Sequence, residues 1–197
     1  MKKILNIIIV SFALVFSTNA FANKIGVIYD SGGKFDKSFN ELAYKTAVRV
    51  QDELGWEMVE FEAANNTQIE QGMRKVADRG ATLIVAMGFA QADAVAAVAP
   101  EYPDINFVAV DVCWLDDPAG NMYQACYKEH EGSFLVGMIA AMASKSGVVG
   151  FVGGMDIPLI RKFQGGYDQG ARYVNPDIRV IGNMTGTTPE AWNNPTK

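Results

Sequence analysis

The chain has 197 residues, 49% of them apolar, with 22 acidic against 17 basic side chains and a net charge of −5. An acidic balance argues against nucleic acid or an anionic membrane surface as a partner, because both select basic proteins. One histidine and two cysteines leave no metal-ligand spacing and no C-x-x-C redox pair, so neither a metal nor a cofactor is expected.

The chain opens on Met1-Lys2-Lys3, an apolar run from Ile4 to Phe16, and Ala20-Phe21-Ala22. A positive start, a short apolar core and a small-x-small site form a secretory signal over residues 1–22, with cleavage after Ala22 and Ala20 as the second choice. The run is broken by Asn6 and Ser11 and is short for a membrane span. No cysteine lies near the cleavage site, so no lipid anchor is expected and a periplasmic product is. Removing Lys2 and Lys3 leaves 15 basic against 22 acidic residues, a net charge of −7.

Lys24 to Tyr29 is a short buried strand, and the polar turn Tyr29 to Asn40 leads into a helix from Ser38 to Leu54. Ser38 and Glu41 have capping-box spacing, Gly55 is a stop, and Leu42, Ala43, Thr46, Ala47, Val50 and Leu54 share one helical face. Trp56 to Ala63 alternates as a strand. A second capping box, Thr67 with Glu70, opens a helix that ends at Gly80. Ala81 to Met87 reads as a buried strand, Gln91 to Ala99 as a helix stopped by Pro100, and Ile105 to Val110 as a further buried strand. Past the loop Asp116 to Asn121 come a strand from Met122 to Tyr127 and a small-residue-rich helix from Glu131 to Ser144. A second series follows. Its strand is Gly147 to Gly153, its helix begins at Pro158 with Phe163, Tyr167, Ala171 and Val174 inward, and its last strand is Arg179 to Met184.

Strands alternating with helices predict an α/β fold with doubly wound parallel sheets and right-handed crossovers. The second series has too few elements to cover its sheet, so residues 23–127 read as a first lobe and 128–197 as a crossover helix plus the start of an incomplete second lobe. Apolar surface is expected to be uncovered on Val148 to Val152 and on the helix after Pro158. Cys113 and Cys126 flank the loop Trp114 to Gln124. In an oxidising compartment they form a disulfide across it or remain two buried thiols.

No G-x-G-x-x-G follows the first strand, and no phosphate-binding loop or nucleophile elbow is present. His130, between Glu129 and Glu131, resembles an acid–base group beside an orienting carboxylate, but the favoured reading is a helix-start histidine between solvated acids. Asp36, Asn40, Phe89 and Asp111 fall at or just after the carboxyl ends of strands, in loops that converge on one sheet edge. Rings with a carboxylate and an amide suit a flat, hydrogen-bonding ligand such as a nucleoside.

The turn Gly32-Gly33-Lys34-Phe35-Asp36-Lys37-Ser38-Phe39-Asn40 resembles the G-G-x-[DN]-D-x-S-F-N signature of the basic membrane protein family, substrate-binding components of ABC transporters related to purine nucleoside receptors. Met87-Gly88-Phe89, the run Lys128 to Gly137, and Phe163 through Pro176 are similar to the same family. The resemblance implies a two-lobed type I periplasmic-binding-protein fold that closes on its ligand, is monomeric at full length, is not an enzyme, and serves an inner-membrane ABC permease with its ATPase. It implies that Asp36 and Asn40 read a base, that Phe89 or Phe35 forms one stacking wall, and that Asp111 lies in the cleft. Trp192 would then supply the opposite wall. Phe35 departs from the signature's first acid. The rival readings are a sensing domain signalling to a membrane kinase and a secreted hydrolase using His130.

Overall fold

The computed structural model describes residues 23–30, 32–188, 191, 192 and 196. The signal read over 1–22 lies outside them. Five parallel strands form the first sheet: β1 (Lys24–Tyr29), β2 (Glu57–Glu62), β3 (Leu83–Ala86), β4 (Asn106–Val110) and β5 (Met122–Ala125), in the order β2-β1-β3-β4-β5. β1 turns out to be buried on both faces because it pairs with β2 on one side and β3 on the other. All four neighbouring pairs are parallel, so every carboxyl end, and every loop leaving one, lies on the same edge of the sheet.

Helices α2 (Ile69–Asp78) and α3 (Ala92–Val98) cover one face, burying Ile69, Met73, Val76, Val95 and Val98 against Ile28, Ile84 and Phe107. Each such side chain removed from water contributes about 1.5–3 kcal/mol. The other face carries one helix, α1 (Phe39–Leu54), which buries Ala47 against Ile25, Val27 and Tyr29. Its inner stripe is Phe39, Ala43, Ala47 and Val50, while Leu42 and Leu54 from the expected face are exposed. α1 covers only part of that face, and a cavity separates it from Gly132, Ser133 and Val136 of the helix Glu129–Ala143.

Both expected capping boxes are replaced by other contacts. Ser38 makes no side-chain cap, and the amides at the start of α1 donate instead to the Asp36 carboxylate: Ser38 N (2.8 Å) and Glu41 N (3.2 Å) to Oδ1, and Asn40 N (3.0 Å) to Oδ2. A charged carboxylate that reaches three amides outcompetes a hydroxyl that reaches one. Glu41 pairs with Lys45. At the second site a 3-10 turn, Asn66–Gln68, precedes α2, so Thr67 lies before the helix and its hydroxyl donates to Asn65 Oδ1 (2.6 Å).

A second unit follows. Helix α4 (Glu129–Ala143) packs along α5 (Pro158–Val174), which links the parallel strands β6 (Val148–Met155) and β7 (Arg179–Gly186). The two helices touch backbone to backbone at glycines: a Cβ on Gly137, Gly166 or Gly170 would strike the carbonyl of Tyr167, His130 or Phe134. Inward residues Tyr167 and Ala171 are buried, whereas Val148, Val152, Phe163, Tyr173 and Ile181 are exposed, as is the stripe Leu135, Ile139 and Met142 on α4. No helix among the described residues is long and apolar enough to cross a membrane.

Candidate functional site

Where the carboxyl edge of the first sheet faces β6 and α5, a cavity of about 770 Å³ opens. The first unit contributes Asp30, Asp36, Phe39, Phe89 and Asp111, and the second contributes Phe151, Phe163 and Trp192. A second, more apolar cavity of about 1010 Å³ shares Phe39, Asp111, Phe151 and Phe163 and runs between α1 and α4.

Local chemistry explains each placement. Asp30 follows β1, and its Oδ1 accepts from Gly32 N (2.8 Å) and from Asn40 Nδ2 (2.6 Å). Asn40 is fully buried; its Oδ1 accepts from Asp30 N (3.1 Å) and its Nδ2 also donates to the Gly33 carbonyl (3.1 Å). The Asn40 amide is thereby committed to holding the turn and does not line the cavity. Met87 follows β3, and Gln91 Nε2 donates to the carbonyls of Ile28 (3.0 Å) and Met87 (2.9 Å), tying the ends of β1 and β3 together. Gly88, at φ 96°, has a backbone conformation that glycine alone adopts readily, and it turns Phe89 toward the cavity. The Phe89 ring lies 6.5 Å from that of Trp192, centroid to centroid, and the bare Cα of Gly154 lets Trp192 pack on β6.

Asp111 follows β4 in a left-handed conformation, φ 62°, with its N–H donated to the Ala125 carbonyl (2.9 Å). Burial, then the nearby Glu129 and Asp30 carboxylates, push the Asp111 carboxyl above the usual range. Burial also opposes the charge on Asp36, but amides from Asn40, Ser38, Glu41 and Phe39 outweigh it and hold that carboxyl below the usual range. Glu129 is likewise buried, and its pairing with Lys162 Nζ (2.5 Å) keeps it low.

Four of the expected residues, Asp36, Phe89, Asp111 and Trp192, thus share one cavity, whereas Phe35 and Asn40 do not line it. Phe35 is 67% exposed and lies edge-on to Tyr44, with Lys34 Nζ 3.9 Å from the Tyr44 ring centroid. Lys34 is drawn toward β2 by Glu60 (2.6 Å), and that pull turns Phe35 outward. Asp30, Phe39, Phe151 and Phe163 line the cavity beyond the ligand residues expected from the sequence. Asp30 had a usable signal, since it directly follows β1. Among the described residues no Lys, Arg or His lines the cavity. Its walls carry several rings and its charged groups are carboxylates, with Ser38 beside them, so it suits a flat ligand rich in N–H and O–H donors and disfavours an anion. Among the described residues no group of three His, Cys, Asp or Glu is arranged to hold a metal ion.

His130 is exposed, and both flanking carboxylates are engaged by lysines, Glu129 by Lys162 and Glu131 by Lys128 (3.0 Å). The orienting carboxylate that a hydrolase would need is therefore spoken for. Cys113 and Cys126 are joined in a disulfide, with Cα atoms 6.0 Å apart.

The family described as ABC transporter substrate-binding protein, PnrA-like, matches residues 22–194. Basic membrane protein A of Borreliella burgdorferi is 32% identical over 195 residues, covering 95% of this chain and 57% of that protein. The ABC transporter nucleoside-binding protein BmpA of Lactococcus lactis is 30% identical over 172 residues, covering 85% of this chain and 48% of that protein. A solved ABC transporter solute-binding protein from Aeropyrum pernix superposes with a TM-score of 0.75 at 30% identity, over 86% of this chain and 50% of its own. The chain spans about half the length of the relatives it matches.

Proposed function

The chain belongs to the PnrA-like family of ABC transporter substrate-binding proteins, and on that premise we propose that it binds a nucleoside-like ligand between two lobes, outside the cytoplasm, for delivery to an inner-membrane ABC permease and its ATPase. The observation that carries this reading is the mixed lining of the cavity. Phe39, Phe89 and Trp192 offer ring faces to a flat base, and Asp30 and Asp111 offer acceptors to its N–H edge or to sugar hydroxyls. The name of the Lactococcus relative points to the same ligand class. Residues 23–127 act as the first lobe, and 128–197 supply the crossover helix and the beginning of the second. The exposed apolar surface on α4, β6 and β7 then belongs against the remainder of that lobe. Asp36 at the cavity's edge and Asn40 behind it shape the first loop, and Asp30, Phe39, Phe89, Asp111 and Trp192 meet the ligand.

A thermal-shift panel tests the ligand class, with adenosine, guanosine and inosine set against sugars, amino acids and nucleotides. A nucleoside present at one hundred times its Kd stabilises by about 2.7 kcal/mol, a rise in Tm of about 5–10 °C. No response to any nucleoside, with a clear shift for another solute class, overturns the reading.

A further inference from the structure

We propose that the Cys113–Cys126 disulfide is a positioning element of the ligand site, holding Asp111 in its left-handed turn and fixing where the chain leaves the first sheet. The inference rests on the reading above, in which the Asp111 carboxylate meets the ligand.

The chain reverses direction at Asp111. Beyond it, residues 113–115 come back alongside 124–126, held by side-chain links. Cys113 is opposite Cys126 through the disulfide, and Leu115 is opposite Gln124. The second rung is a two-point contact: Leu115 N donates to Gln124 Oε1 and Gln124 Nε2 donates to the Leu115 carbonyl, both at 2.8 Å. The reversal itself is Asp111 at φ 62°, a conformation disfavoured for any residue with a Cβ, although aspartate tolerates it better than most. Such a conformation persists only where the surroundings over-determine it. Here the surroundings are the Asp111 N–H to Ala125 bond on one side and the disulfide two residues on. The staple fixes the angle at which the Asp111 carboxylate enters the cavity.

The other end of the staple also has a target. Cys126 is three residues before Glu129, the first residue of α4, and Glu129 is paired with Lys162 on α5, next to the cavity-lining Phe163. Lys162 Nζ also reaches the Tyr127 carbonyl at 3.4 Å. Both walls of the cavity therefore take their position from the same short segment.

The test uses the full chain and its Cys113→Ser/Cys126→Ser variant, titrated with guanosine well below the variant's Tm. Guanosine is expected to bind about five- to tenfold more weakly to the variant, from the partial release of one strained residue. In an Asp111→Ala background, removing the disulfide should change affinity less than about twofold, because coupled positions are non-additive. Equal losses in the two backgrounds, or no loss in either, overturn the proposal. Amide hydrogen exchange gives a readout without ligand: the Asp111 N–H should lose protection in the double-serine variant while Ile84 and Val85 keep theirs. An Asp111 amide that stays protected also overturns the proposal. If the wild type binds no nucleoside, the functional reading fails, and exchange at Asp111 alone decides this one.

Discussion

Replacing Asp36 separates a helix cap from a ligand contact. In Asp36→Ala three amides at the head of α1, those of Ser38, Asn40 and Glu41, lose their acceptor at once. Loss of a single capping side chain costs about 0.5–2 kcal/mol, and three charge-assisted bonds place this site near the upper end, about 2 kcal/mol. For a chain of this size that lowers Tm by about 4–8 °C. Asp36→Asn keeps one acceptor oxygen but loses the charge at the helix N-terminus, so about half of the loss is expected. The sign with pH follows from the direction of the shift. The Asp36 carboxyl is held below its usual range, so its contribution is present in full above about pH 4 and disappears as pH falls through the folded-state value. Urea and thermal unfolding of wild type and both variants at pH 7 and pH 3, with guanosine titrations at pH 7, measure all of these. Guanosine affinity should weaken by no more than about threefold in Asp36→Asn, because the amide of Asn40 still holds the turn. An unchanged Tm in Asp36→Ala, together with a tenfold or greater loss of affinity, would refute the capping assignment and return Asp36 to the ligand.

Phe39→Ala should weaken nucleoside binding by about ten- to a hundredfold, the usual worth of stacking one base on one ring, as read by calorimetry. Asp111→Asn should raise Tm at pH 7 while weakening nucleoside binding. Burial beside Glu129 and Asp30 penalises the charged form, and that penalty is full above the raised folded-state value and absent below about pH 4, so the gain should vanish there. Gly170→Ala sets a methyl group against the Phe134 carbonyl, which is backbone and cannot swing aside, so a loss of about 3 kcal/mol and a Tm lower by about 6–12 °C are expected in a thermal melt. Adding a 5′-phosphate to a bound nucleoside should abolish its thermal shift, because among the described residues the charged groups facing the cavity are all carboxylates.

The order of strands and helices was legible because buried parallel strands are short apolar runs and glycines stop helices; Gly55 and Gly80 both have the positive φ of such stops. Helix entry was less legible. The pattern Ser38-x-x-Glu41 is a valid cap in isolation, but an aspartate two residues upstream reached the same amides with a full charge. For the site, the rule that ligands meet the carboxyl ends of strands found Phe89 and Asp111. It could not choose between Phe35 and Phe39, which belong to the same turn. That choice is made by Glu60, which is 26 residues from Lys34 in sequence and pulls Lys34 across β2. Phe163 read as an inward residue of its helix because its partners across the cavity are distant in the chain.

The central claim is that a flat ligand closes the space between the first sheet's edge and the second unit, against Trp192. Tryptophan fluorescence during a guanosine titration tests this directly, with Trp192→Phe as the comparison. Saturable quenching in the wild type that is lost in Trp192→Phe, while calorimetry still detects binding there, is the predicted result. Quenching that survives in Trp192→Phe, or binding by calorimetry with no change in wild-type emission, would contradict it.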